Sequence, residues 1–226
     1  MIDVILCDDH ALIRRGIRDT LSDAADIRVV GEAGDYGELR ALMRTLEAQA
    51  RENGRDHGKV APCDVLVLDI NLPGRSGLDA LHELKDEGSP VKVLVVSMYP
   101  EDQYAIRALR AGAFGYVNKG GDPQLLVQAV RTVSQGRKYV TPEIAQMLVE
   151  SLTAPASEHP HQKLSDRELQ TLVMIASGKR LADIAEELML SPKTVSVYRA
   201  RVLEKLQLAN NSELTVYAIR NGLVGQ

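Results

Sequence analysis

The sequence predicts an α/β domain, with a five-stranded parallel sheet and helices on both faces, followed by a small all-α domain of four helices. Three observations carry that expectation. Short runs rich in Val, Ile and Leu alternate with amphipathic segments five times through residues 2–135. The strands stop after Gly136, and Thr153–His161 then holds two Pro, two His and few large apolar residues, as a linker does. Beyond it, capping and stop signals punctuate four helical segments. A length of 226 residues accommodates two ordinary domains.

The expected strands are Ile2–Cys7, Val29–Ala33, Val65–Asp69, Val91–Val96 and Ala113–Asn118. Most are continuous apolar runs, which suits strands covered on both faces. Helices are expected around 10–22, 36–52, 77–86, 101–111 and 122–135, and a short one from Pro142 to Leu152. The expected domains are thus 1–138, a linker with a short helix over 139–161, and 162–226. Within the last, helices are expected at 165–177, 180–188, 192–206 and 211–221. Ser165 with Glu168 forms a capping box, and Ser191 caps a helix whose first residue is Pro192. Asn211 is the expected cap of the last helix, and Gly178 and Gly222 are expected stops.

Composition narrows the class. No apolar run approaches the roughly 18–20 residues of a membrane span, and Asp3 interrupts the N-terminus where a signal peptide is apolar. A cytosolic protein with no membrane partner is expected. Cys7 and Cys63 read as small buried thiols rather than a disulfide. Charge divides the chain: residues 161–226 carry nine Lys+Arg against seven Asp+Glu, the rest 18 against 24. The stretch 191–207 is basic through Lys193, Arg199, Arg201 and Lys205, which suggests a polyanion partner for that helix.

Asp8 and Asp9 follow the first strand, and Asp69 ends the third. In a flavodoxin-like strand order these strands are neighbours, and the three carboxylates share one cleft at the carboxyl end of the sheet. Three anions packed together call for a cation. An oxygen-only set with no His or Cys nearby suits a hard ion, and Mg²⁺ accepts carboxylates, waters and a phosphate oxygen. Such a site can place a phosphoryl group on a carboxylate. Ser97 at the fourth strand end offers a hydroxyl, and Lys119 at the fifth an ammonium for a phosphoryl oxygen. Singly, Asp9 or Asp69 reads equally well as a helix or turn cap; the ordered set is what is specific.

At these residues the chain resembles a known family. Leu6-Cys7-Asp8-Asp9-His10, Leu68-Asp69-Ile70-Asn71-Leu72-Pro73-Gly74, Val96-Ser97 and Tyr116-Val117-Asn118-Lys119 look like the signature segments of response-regulator receiver domains. The resemblance implies that Asp69 is the phosphoacceptor and that Asp8, Asp9, Asp69 and the Asn71 backbone carbonyl hold Mg²⁺. Ser97 and Lys119 would hold the phosphoryl group, with Ser97 and Tyr116 as switch residues and Tyr116 turning inward on phosphorylation. One departure is plain: Asp9 to Asp69 spans 60 positions, the excess falling between Tyr36 and Ala61. A longer second helix and a surface loop absorb it at small entropic cost. His57, inside that stretch, reads as solvated.

In the last domain, Leu181–Leu188 and Pro192–Leu206 flank the turn Met189-Leu190-Ser191. Two helices joined so tightly form the motif that lays its second helix in the major groove. Val195, Val202 and Leu206 are its expected core stripe. Lys193, Thr194, Tyr198 and Lys205 suit phosphate contacts, while Ser196, Val197 and Ala200 can approach base edges. Arg199 and Arg201 can reach guanine or phosphate. Leu164-Ser165-Asp166-Arg167-Glu168, Ser191-Pro192-Lys193-Thr194-Val195 and Val202-Leu203-Glu204-Lys205-Leu206 look like the LuxR-type DNA-binding domain. Joined to a receiver, this is similar to the NarL/FixJ class. The resemblance implies a sensor histidine kinase, promoter DNA bound as a homodimer, and RNA polymerase as further partners. It also implies a dimer contact through Leu214, Tyr217 and Ala218, whose alternative is packing within the domain. Catalysis would be confined to the receiver's own phosphorylation and dephosphorylation.

Two other readings stand beside this one. The first is a phosphorylation-independent DNA-binding regulator whose receiver serves dimerisation. The second is a Mg²⁺-dependent phosphohydrolase with Asp69 as nucleophile. Such enzymes commonly carry a second carboxylate two residues on, where this chain has Asn71.

Overall fold

A computed structural model describes residues 1–52, 61–99, 101–153 and 160–224, with the backbone alone for 101–103 and 150–153. It divides into two compact units, Met1–Thr153 and Ala154–Gln226.

In the first unit, β1 (Ile2–Cys7), β2 (Ile27–Ala33), β3 (Val65–Asp69), β4 (Lys92–Ser97) and β5 (Gly115–Asn118) form one parallel sheet, ordered β2-β1-β3-β4-β5. Helices α1 (Ala11–Ser22), α2 (Tyr36–Glu52), α3 (Gly77–Asp86), α4 (Glu101–Ala111) and α5 (Pro123–Ser134) alternate with the strands. β3 is buried along its whole length between two neighbours, whereas β2, at one edge, is the least covered of the five strands. That edge carries charge that blunts it: Arg28 makes a two-pronged pair with Asp3, and Glu32 takes Arg14 and Arg18. Val4, Leu6, Val65, Val67, Leu94 and Val96 meet Val127, Val130 and Val133 of α5 in one core layer.

α6 (Pro142–Thr153) follows a bridge between Gly115 and Tyr139. It packs against α4 and buries Ile144 completely, so the first unit runs on to Thr153. The extended second helix is present as 17 residues of α2. The surface loop expected after it, with His57, lies outside the described residues, as do residues 154–159 of the expected linker.

The second unit opens with a 3-10 turn (Pro160–Lys163) and contains α7 (Asp166–Ala176), α8 (Leu181–Glu187), α9 (Pro192–Leu206) and α10 (Asn211–Arg220). Ser165 and Glu168 make the reciprocal capping box, and Ser191 caps α9 through the Thr194 amide. The cap of α10 is Asn210, not Asn211: its side chain accepts from the Glu213 amide, and Asn211 is already helical. Gly178 and Gly222 sit at φ +84° and +67°, the left-handed geometry that ends α7 and α10.

Candidate functional site

β1 and β3 are parallel neighbours with Cys7 opposite Leu68, so Asp8 and Asp69 emerge side by side at the carboxyl edge of the sheet. β4 and β5 end in register, with Ser97 opposite Asn118, and the Lys119 amide donates to the Ser97 carbonyl at 2.9 Å. This brings the lysine back over the carboxylates. Its Nζ lies 2.7 Å from Asp8 Oδ2 and 2.6 Å from Asp69 Oδ2, with all three side chains almost wholly buried. Burial pushes the Asp69 carboxyl up to about 6, the Asp8 charge adds to this, and the Lys119 ammonium and the Asn71 amide oppose it.

Asp9 and His10 complete the cluster. His10 Nδ1 is 2.5 Å from Asp9 Oδ1 and 3.8 Å from Asp8 Oδ1. One ligand atom from each of Asp8, Asp9, His10 and Asp69 falls within 4.8 Å of the others. The donor set is therefore not free of histidine, as the sequence reading had it: the chain turns at His10 and brings its ring back toward the two carboxylates it follows. Asp8 Oδ2 and Asp9 Oδ1 are buried and accept no well-angled hydrogen bond from the described residues. Three converging carboxylates with two such oxygens fit a divalent cation.

The expected phosphoryl-holding groups lie close by. Ser97 is buried and its Oγ accepts from the Tyr99 amide at 3.2 Å, which leaves the hydroxyl proton to donate elsewhere. Tyr116 was expected to turn inward only after phosphorylation. Its ring is already fully buried, and its OH donates to the Tyr99 carbonyl at 2.7 Å. The Asn71 side chain donates to the Tyr99 OH at 3.3 Å.

Sequence reasoning missed Tyr99, Arg14 and Gly77 as well as His10. Tyr99 joins Ser97, Tyr116, Asn118 and Asn71, and stacks on Tyr104 with ring centroids 4.6 Å apart. Its only sequence signal is its place two residues past a strand end. Arg14 Nη1 donates to the Asp8 carbonyl and holds the end of β1 from α1. A Cβ on Gly77 would stand 1.9 Å from the Asp69 carbonyl oxygen, so glycine is required where α3 passes under the end of β3. Cys7 and Cys63 are buried free thiols, both pushed up by burial.

The second unit presents the expected helix pair. α8 and α9 are joined through Met189, which takes φ +50°. Val195, Val202 and Leu206 are buried as a stripe, and Lys193, Ser196, Val197, Ala200 and Arg201 are exposed on the rest of α9. Tyr198 and Arg199 are half-buried, with Arg199 Nε donating to Asn211 Oδ1 at 2.6 Å. Thr194 shares a hydroxyl contact with the Ser191 cap. Lys205, expected at a phosphate, has its Nζ 2.7 Å from Oε2 of the buried capping-box carboxylate Glu168 while its side chain stays 41% exposed. The dimer expectation changes too. Leu214 and Ala218 are fully buried inside the domain and offer no surface to a second copy, while Tyr217 is half-buried and its OH meets His161 Nδ1 at 3.0 Å. The apolar residues that α10 exposes are Val216 and Ile219.

Known proteins match both units. The profile of the response regulator receiver domain matches residues 4–131, and that of the bacterial regulatory proteins of the luxR family matches 162–218. Response regulator UvrY of Escherichia coli (strain K12) is 38% identical over 224 residues, covering 99% of this chain and 96% of that protein. Response regulator GacA of Pseudomonas aeruginosa is 37% identical over 225 residues, covering 99% and 98%. Among solved structures, RcsB from Salmonella enterica serovar Typhimurium, bound to promoter rprA with the phosphomimetic BeF3⁻, aligns at TM-score 0.61. It is 26% identical and covers 96% of this chain and 97% of that one.

Proposed function

The chain belongs to the two-component response regulators that join a receiver to a LuxR-type DNA-binding domain, and from this premise we propose that Asp69 is its phosphoacceptor. As a member it regulates transcription. The observation that supports the acceptor assignment most directly is Lys119, whose ammonium spans Asp8 and Asp69 at 2.7 and 2.6 Å in a buried cleft. A carboxylate oxygen of Asp69 attacks the donor phosphorus, an acyl-phosphate P–O bond forms, and the bond to the leaving group breaks. A sensor histidine kinase is the natural donor. Mg²⁺ held by Asp8, Asp9, Asp69 and the Asn71 carbonyl would supply charge neutralisation at the transferring group. Lys119 then trades one carboxylate for a phosphoryl oxygen, and Ser97 donates its hydroxyl to another.

The switch follows from what these groups leave behind. The phosphoryl group adds about −1.5 to −2 charge. Drawing Ser97 toward it loosens the Tyr99 amide, whose residue also receives Tyr116, Asn118 and Asn71. The β4–α4 loop is thereby coupled to the acceptor. Moving a two-state equilibrium from 1:99 to 99:1 takes about 5.5 kcal/mol, within reach of a few charge-assisted hydrogen bonds. The output is double-stranded promoter DNA, met by α9 in the major groove. Lys193, Thr194, Tyr198, Arg199 and Arg201 serve backbone or guanine contacts, and Ser196, Val197 and Ala200 lie nearest the bases. We place the receiver at 1–153 and the DNA-binding domain from Pro160 onward, with binding as a homodimer and RNA polymerase as the next partner. No helix among the described residues is long and apolar enough to cross a membrane, in keeping with a cytoplasmic site of action. The receiver's chemistry is limited to making and losing its own acyl phosphate.

Intact mass after incubation with acetyl phosphate and Mg²⁺ tests the assignment. Wild type is expected to gain one phosphoryl group and Asp69→Asn none, with an unchanged circular dichroism spectrum. Labelling of Asp69→Asn would refute it.

A further inference from the structure

We infer that His10 is an imidazole ligand of the cation site formed by Asp8, Asp9 and Asp69, and that it biases the site toward first-row transition dications over Mg²⁺. The inference rests on the reading of that cluster as the cation site.

Two observations point the ring there. The first is proximity: His10 Nδ1 shares a 4.8 Å neighbourhood with one oxygen from each of the three carboxylates. The second is the way the helix begins. His10 occupies the N-cap of α1 with extended backbone, φ −85° and ψ 98°, yet its side chain makes no capping bond. Residues at this position ordinarily turn a short side chain onto the first-turn amides. Here the ring is directed to Asp9 and Asp8, its partners among the described residues. The backbone is anchored for this, since the His10 amide donates to Asp8 Oδ1 at 2.8 Å and its carbonyl receives the Arg14 amide at 2.9 Å.

The chemistry of the donor set then changes. Mg²⁺ favours oxygen ligands in a near-ideal octahedron and keeps several waters, so an added imidazole gives it little. Imidazole nitrogen is a good ligand for the later first-row dications, whose affinity rises from Mn²⁺ through Co²⁺. Three carboxylates alone already follow the rise in affinity along the first row; one nitrogen at the rim steepens that rise relative to Mg²⁺. The ring is 57% exposed, so it can adjust to the ion without disturbing the core.

Co²⁺ titration of the full-length protein, read by visible absorption, tests this, with Mg²⁺ affinity measured by competition. The absorption change belongs to this site if Asp9→Asn abolishes it. His10→Ala is expected to keep the wild-type circular dichroism spectrum, to lose at least about tenfold in Co²⁺ affinity and to lose the nitrogen-dependent band intensity. Its Mg²⁺ affinity is expected to stay within about twofold. Unchanged Co²⁺ affinity and spectrum in His10→Ala would overturn the inference. An equal fall for both ions would overturn it as well, since His10 would then only position Asp9. If wild type bound neither ion at the Asp9-dependent site, the cation-site reading itself would fail.

Discussion

Asp69 sits in two opposed fields. Its burial and the neighbouring Asp8 favour the protonated acid, while Lys119 at 2.6 Å favours the carboxylate, and the outcome is a value of about 6 against an ordinary 3.8. The folded-state value is the higher one, so the folded protein binds this proton more tightly than the unfolded chain. The stability this lends is complete below the unfolded value and is lost as pH rises through about 6. Metal-free wild type is therefore expected to lose on the order of 2 kcal/mol relative to Asp69→Asn between about pH 4 and pH 6.5. Urea unfolding at a series of pH values measures it; parallel curves for the two proteins would contradict the shift. Lys205 gives a second test at this scale. Removing it leaves the buried Glu168 carboxylate without its cation, held only by the Ser165 amide, so Lys205→Ala is expected to cost about 1–3 kcal/mol of stability. If Lys205 touches no phosphate, the salt slope of binding to a DNA duplex is expected to stay at the wild-type value. A slope reduced by about 0.9 would restore its phosphate role.

Elements carry the site only because their ends are closely set. β1, β3, β4 and β5 deliver Asp8, Asp69, Ser97 and Lys119 to one edge, and the ends of β1 and β3 are each held by a helix beside them. Arg14 of α1 holds the Asp8 carbonyl, and α3 begins against the Asp69 carbonyl at Gly77. The second of these contacts tolerates no methyl group. Gly77→Ala is expected to destabilise the protein by about 1–3 kcal/mol through overpacking. It should also slow phosphoryl uptake from acetyl phosphate, because the backbone of Asp69 itself must move. Wild-type stability and uptake in this variant would show that α3 can back away freely. β2 has no such duty and faces solvent along its edge, where charged pairs stand in for a neighbouring strand.

The molecule as a whole separates its chemistry from its output. The residues before 161 carry 18 Lys+Arg against 24 Asp+Glu, while the last 66 carry nine against seven. The chain divides into two compact units between residues 153 and 154. Each has its own buried core, so each is expected to work alone. Residues 1–153 should take up one phosphoryl group from acetyl phosphate. Residues 154–226 should bind duplex DNA with an affinity that falls steeply with salt. A fragment of 1–153 that fails to fold, or that is not phosphorylated, would mean that the second unit completes the receiver.

The alternation of strands and helices, the division into two units, the carboxylates at the strand ends and the α8–α9 helix pair were legible in the sequence. They depend on local periodicity, caps and the residues at strand ends. Val195, Val202 and Leu206 show this well, since a helical stripe needs no knowledge of distant contacts. What only the tertiary structure decided concerns residues whose partners are remote in sequence. Glu168 draws Lys205 from 37 positions away, Tyr99 gathers Asn71 and Tyr116, and α6 folds back onto α4 to bury Ile144. Leu214 and Ala218 could have faced a partner or the core, because an apolar face specifies burial but not against what. His10 adjoins its carboxylates in sequence, yet the turn of backbone that aims its ring is visible only in the fold.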